Sequence, residues 1–432
     1  MHLSASRYYQ SVLALLLLCV GQAQAGLTIE ITKGAQGALP IAIVPFAAGG
    51  ASPNEDVAAI VAADLQRSGR FNPMPAADML ERPSEAAQIN FQNWRVLGMD
   101  NLIIGKVRAA DGGNFDIDFQ LFDVFQGNPL MGYTIHAAPA ELRRAAHHIA
   151  DLIYEKLTGE KGAFNTRIAY ITATRGPTPS YTLMVADSDG YNPQVILRSK
   201  QPIMSPSWSS NGRRLAYVSF EKHRSEVYIQ DVASGARESV ASYPGINGAP
   251  AWSPDGRYLA LTLSRGGNPD IYVMSLSSKL LTRITDNPGI DTEADWSHDG
   301  STIYFTSDRG GKPQIYSVAA SGGSATRVTF DGDYNARPEI SSDGKKLAMM
   351  HRTSKGFTIA VQDMQTHQLT VLSDGGQDES PSFAPNGSMI LYASSKDHRG
   401  VLMAVSVDGR VRQSLMATEG DVREPAWSPM LQ

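Results

Sequence analysis

Carboxylates dominate the residues of this chain that could do chemistry. Asp255, Asp299 and Asp343 recur within Ser-x-Asp-Gly motifs, and Asp291, Glu293, Asp378 and Glu379 gather upstream of the same repeats. Acids brought to one place can hold a calcium ion or act as general acid and base. For the first three, repetition favours a plainer reading. Asp-Gly supplies a tight turn, because glycine tolerates positive φ, and a catalytic site is one constellation rather than a motif copied along the chain.

Other chemistries find less support. No Gly-x-Ser-x-Gly elbow is present, so a propeller-linked serine peptidase is not expected. His147-His148 falls on a predicted helix and reads as surface, and no HExxH motif occurs. Ala47-Ala-Gly-Gly50 lacks the Lys-Ser/Thr of a phosphate loop and reads as a plain loop. Asp187-Ser-Asp189-Gly190 opens like a calcium loop, but no glutamate follows at the required spacing, so a turn is expected. The one cysteine, Cys19, lies in the first apolar run. No cofactor or metal is expected, and the chain reads as a non-enzyme. A net charge of −5 over 432 residues argues against nucleic acid.

From the N-terminus, residues 1–25 read as a secretory signal peptide. Arg7 precedes the apolar run Ser11–Val20, and Ala23-Gln24-Ala25 fits a cleavage site. That run is too short for a bilayer-spanning anchor, so no direct membrane insertion is expected.

Residues 26–162 read as a small α/β domain. Strands are expected at Leu27–Thr32, Ile41–Phe46, Asn101–Arg108, Asp116–Phe125 and Leu130–His136. Helices are expected over Asn54–Gly69, capped by Asn54, over Phe91–Gly98, and over Ala140–Gly159 with Leu142, Ile149, Leu152, Ile153 and Leu157 inward.

Residues 163–432 repeat. Trp208, Trp252, Trp296, Ile340, Phe383 and Trp427 anchor copies spaced by 44, 44, 44, 43 and 44 residues. Each copy reads as four short strands, the unit of a propeller blade. Residues 168–198 supply three strands without an inner one, and Pro425–Pro429 supply an inner strand without the rest. Together they predict an all-β, six-bladed β-propeller closed by the C-terminal strand, which removes an unpaired edge.

The segments before the inner strands must line one mouth of the central channel. They carry Met204, Ser205, Asn247, Gly248, Ala249, Asp291, Thr292, Glu293, Asn335, Ala336, Arg337, Glu379, Ser380 and Arg423. They are polar, mixed in charge and different in each blade, as a recognition surface would be. An enzyme using the mouth's acids, or a small-ligand or carbohydrate binder, stands as the alternative. Few aromatics lie there to stack on sugars. The strand beginning at Leu27 could pair inside its own domain, which composition favours, or add to a sheet edge of another protein.

The two-domain order, the six units, Asn247-Gly-Ala-Pro250 and Pro425-Ala-Trp-Ser-Pro429 resemble the TolB family of the Tol–Pal cell-envelope system. The resemblance covers essentially the whole chain. It implies a monomeric periplasmic docking protein that supports outer-membrane integrity and cell division. Its implied partners are a Pal-like peptidoglycan-associated lipoprotein at the channel mouth and a TolA-like inner-membrane protein. The latter would engage Gly26, Leu27, Thr28, Ile29, Glu30, Ile31, Thr32 and Lys33. Bacteriocin translocation segments are implied at the same mouth. Family members carry histidine where this chain has Ile246, so no polar contact is expected there. Coupling between the two binding sites is also implied.

Overall fold

Ile41–Val44 and Leu102–Ile104 are apolar at every position, so their strands must be covered on both faces. The computed structural model describes residues 27–33, 37–50, 53–174, 176, 178–417 and 420–431. The signal-peptide reading, Cys19 and Gly26 lie outside the described residues.

The first unit runs β1 (Leu27–Lys33), β2 (Leu39–Ile43), β3 (Ala47–Gly49), α1 (Val57–Arg67), β4 (Phe71–Pro73), α2 (Phe91–Val96), β5 (Asn101–Ala109), β6 (Phe115–Asp123), β7 (Asn128–Ala137) and α3 (Leu142–Thr158). Its sheet has the order β4-β2-β5-β6-β7, with β3 also beside β5. Pairing is parallel around β2 and antiparallel from β5 to β7. Alternation divides the core as expected for strands covered twice. Ile41, Ile43, Ile103 and Val107 face α1 and α3, whereas Ala42, Val44, Leu102 and Ile104 pack with Trp94 of α2. Each fully buried Leu, Ile or Phe contributes about 1.5–3 kcal/mol.

Several details differ from expectation. The cap of α1 is Asp56, whose carboxylate accepts from the Ala59 N–H at 3.0 Å, rather than Asn54. Ala47–Gly49 is a short strand parallel to β5 rather than a loop. There Gly49 lets the Arg108 side chain cross, since a Cβ would lie 2.9 Å from its Cγ. His147 is 2% exposed rather than on the surface, whereas His148 is exposed. Leu152 and Leu157 are only half-buried. The helix buries a second side against the propeller, which a single amphipathic stripe does not reveal.

Five blades follow in sequence order, with inner strands Ile203–Trp208, Asn247–Trp252, Asp291–Trp296, Asn335–Ile340 and Glu379–Phe383. We number these blades 2 to 6. Blade 1 consists of Arg167–Thr174, Ser180–Asp187 and Gln194–Ser199, completed by Asp421–Trp427 as its inner strand. Trp427 lies opposite Ile168 and Asp421 opposite Ala173, so the ring of six closes through the C-terminal strand.

Blades are held to one another by apolar layers. One unites Trp252, Leu259 and Tyr272 of blade 3 with Val218 and Ile229 of blade 2, and another unites Leu402 and Leu415 with Ile168, Tyr170 and Val422. Indole N–H groups add cross-blade bonds, from Trp208 to the Ala426 carbonyl and from Trp296 to the Ala251 carbonyl, both 3.0 Å.

β1 does not pair within its own domain, contrary to what its composition favours. It runs antiparallel to Arg412–Ala417, the outermost strand of blade 6, with Leu27 opposite Ala417 and Ile31 opposite Gln413. Blade 6 is thereby five-stranded, and β1 is its outer edge.

Candidate functional site

The Ser-x-Asp-Gly acids are turn residues. Asp299 accepts from the Ser297 hydroxyl at 2.6 Å and from the Ser301 N–H at 3.0 Å. These donors, led by the Ser297 hydroxyl, hold its carboxyl at about 2, which suits an acceptor and not a proton donor. Asp255 and Asp343 accept from Ser253 and Ser341 in the same way.

The mouth of the channel is organised by one backbone device used six times. Each inner strand holds a non-glycine residue in the left-handed region: Ser205 (φ 50°), Ala249 (42°), Glu293 (55°), Arg337 (53°), Ser380 (56°) and Glu424 (49°). The pairing register shifts at the same six places, which marks a bulge in each blade. Proline follows in five of the six, with Ala294 in the other. A bulge re-aims a side chain, and all six residues line one cavity of about 360 Å³. A left-handed conformation costs roughly 1–2 kcal/mol per residue, so the ring stores strain where the blades converge.

Arg337 is the hub of that ring. Its Nε donates to Glu293 at 2.9 Å, one terminal nitrogen donates to Glu424 at 3.0 Å and the other to the Ser380 hydroxyl. Four blades therefore meet at one guanidinium. Burial opposes its charge, but Glu424, Glu293 and Glu379 outweigh that and raise its pKa. Although Glu379 stays largely exposed, partial desolvation at the rim pushes its carboxyl up, with Arg337 pulling the other way.

A second ring lies two residues further along. Asp295 accepts from the Ile340 N–H at 2.8 Å, Glu339 from the Phe383 N–H at 2.6 Å, and Ser382 from the Trp427 N–H at 2.9 Å. Each side chain staples its blade to the next. Desolvation pushes Asp295 and Glu339 up, and the charge of Asp295 raises Glu339 further. Raised carboxyls favour the folded state most at low pH, and that contribution is lost as pH rises through their folded values. Glu339→Gln keeps the acceptor without the charge. It is expected to stabilise the protein at neutral pH by roughly 1–2 kcal/mol and to be neutral in acid, as thermal unfolding across pH would read.

The fourteen residues expected at the mouth divide into three sets. Ser205, Ala249, Glu293, Arg337 and Ser380 line the cavity. Met204 is 41% exposed, Glu379 and Arg423 are exposed, and Gly248 and Thr292 are half-buried. Asn247, Asp291, Asn335 and Ala336 are buried behind them. Asn247 bonds Tyr243 through both ends of its amide, Asp291 pairs with Arg309 at 2.7 Å, and Asn335 donates to Gln314 at 2.8 Å. In the free chain these three hold the loops. Sequence reasoning selects Arg423 and misses its neighbour Glu424, although Glu424 stands 44 residues after Ser380, in the register of the ring. Exposed Ile246 and Ile290, each just before an inner strand, add neighbouring apolar points on blades 3 and 4.

Among the described residues one grouping brings metal-binding atom types within 4.8 Å, Asp64, His147 and Asp189. It lies at the junction of the domains, and Arg67 and Arg143 already pair with its two carboxylates.

A closed six-bladed propeller with a small α/β domain and a blade-specific channel mouth defines a class of two-domain propeller proteins. Residues 154–431 match the model of the TolB beta propeller domain, and residues 27–130 match the TolB amino-terminal domain. The chain belongs to the TolB family. It is 64% identical to the Tol-Pal system protein TolB of Nitrosococcus oceani over 97% of each chain, and 63% identical to that of Thioalkalivibrio sulfidiphilus over 98% of each. The crystal structure of TolB from Acinetobacter baumannii is similar at 43% identity and a TM-score of 0.86, covering 94% of this chain and all of that one.

Proposed function

We propose that this protein is a non-enzymatic docking protein of the periplasm. In this reading it binds a Pal-like lipoprotein at the channel mouth and a TolA-like protein through β1, within the Tol–Pal system named for its relatives. The observation that carries the first site is the ring of six re-aimed, blade-specific residues around one cavity. Three acids of the mouth support docking over catalysis because they already serve the fold. Asp291 is paired with Arg309, Glu293 with Arg337, and Asp378 accepts from Ser373 and Ser394.

Thr292→Arg and Met204→Glu are expected to weaken capture of the soluble lipoprotein domain by about tenfold or more, measured by calorimetry, with unfolding temperature unchanged. Full affinity in both would move the site elsewhere. For the second site, β1 supports the reading because only one of its edges is paired among the described residues. A strand of a partner could add to the other edge. A chain lacking residues 26–33 should lose the TolA-like partner and retain the lipoprotein.

A further inference from the structure

The two domains meet through a buried group of charges, and one imidazole stands between them. His147 of α3 is 2% exposed. Its Nδ1 lies 2.6 Å from the carboxylate of Asp64 on α1, within the same domain. Its Nε2 faces the carboxylate of Asp189, in the turn after the Ser180–Asp187 strand of blade 1, at 3.8 Å. That nitrogen has no hydrogen-bond partner among the described residues. Both carboxylates are fixed in place. Arg67 pairs with Asp64 at 3.0 Å and donates to Ser188, while Arg143 pairs with Asp189 and lies over the Tyr191 ring at 3.8 Å.

The surroundings are charged on every side, acids alternating with arginines. Glu55 faces Arg143 from before α1, Asp151 lies one turn along α3, and Asp187 and Arg167 come from blade 1. Burial pushes Asp151 up to about 6 and raises Asp187, whose other contributors include the charge of Asp189. Both shifts favour the assembled junction in acid and lose that effect as pH rises. A metal ion would have to compete with two guanidiniums already paired to the same carboxylates and with the His147–Asp64 bond.

We propose that His147 is a proton-operated tie between the two domains. A neutral imidazole has one N–H and spends it on Asp64; a protonated ring donates to Asp64 and Asp189 at once. Protonation of the ring therefore fastens the α/β domain to blade 1, and the neutral ring leaves Nε2 facing Asp189 without a proton. The effect reaches further along α1, because the Arg67 carbonyl accepts from Gln413 on the blade 6 strand that carries β1.

Amide hydrogen exchange of the full chain, corrected for intrinsic rates, tests this at about pH 5.5 and about pH 8. Protection over residues 142–151 and 187–191 is expected to fall about tenfold at the higher pH. His147→Gln, which carries a donor but no titratable proton, and Asp189→Asn should each cut the difference by more than half, leaving the smaller part that Asp151 and Asp187 contribute. Should the glutamine variant fail to fold, Asp189→Asn alone decides. Equal protection at both pH values in the unmodified protein overturns the tie. So does a pH difference that survives undiminished in either folded variant, or one that a chelator removes.

Discussion

Arg337→Ala is expected to destabilise the propeller by about 2–3 kcal/mol, since its ion pairs are partly buried, lowering its unfolding temperature by roughly 8 °C. The loss comes less from the arginine's own bonds than from what it leaves behind. Glu293 and Glu424 would face each other across the channel without a counter-charge, beside Glu379. Removing one member of a partly buried ion pair strands the other, whereas removing the whole group costs far less. The triple variant Arg337→Ala/Glu293→Gln/Glu424→Gln should therefore recover much of the lost stability. Calorimetry on the parent and both variants checks the two statements. If the single variant unfolds like the parent, water already balances these charges and the ring is no hub.

Truncation after Gly420 should have a larger effect still, removing cooperative unfolding altogether. Asp421–Trp427 is the inner strand of blade 1, so its loss exposes the edge of Arg167–Thr174. It also removes Val422 from the layer between blades 6 and 1, and Ala426 as the acceptor for the Trp208 indole. The Trp427 indole bond to Thr166, at 2.9 Å, disappears as well. Limited proteolysis and thermal melting followed by circular dichroism check this. A truncated chain that stays soluble and melts cooperatively would mean that five complete blades close without the sixth.

Much of this was legible because a propeller repeats. The 44-residue spacing located every inner strand, and the two incomplete ends predicted their own pairing. The ring at the mouth obeys the same spacing, yet its members are Ser, Ala, Glu, Arg, Ser and Glu, with no shared chemistry to draw attention. What they share is a backbone conformation, which side-chain pattern does not encode, although five following prolines hint at it. The destination of β1 was illegible for a different reason. Alternation specifies a strand but not which distant edge accepts it, and Arg412–Ala417 lies almost the whole chain away. His147 escaped notice because burial on a second helix face depends on the neighbouring domain.

The β1 seam has a practical corollary. Any purification handle or fluorescent reporter fused ahead of Leu27 would hang from the outer margin of blade 6, tugging on a join made of one strand pair. Such a fusion should report on seam occupancy as much as on abundance, so tagged and untagged material ought to be compared before either is taken to represent the resting molecule.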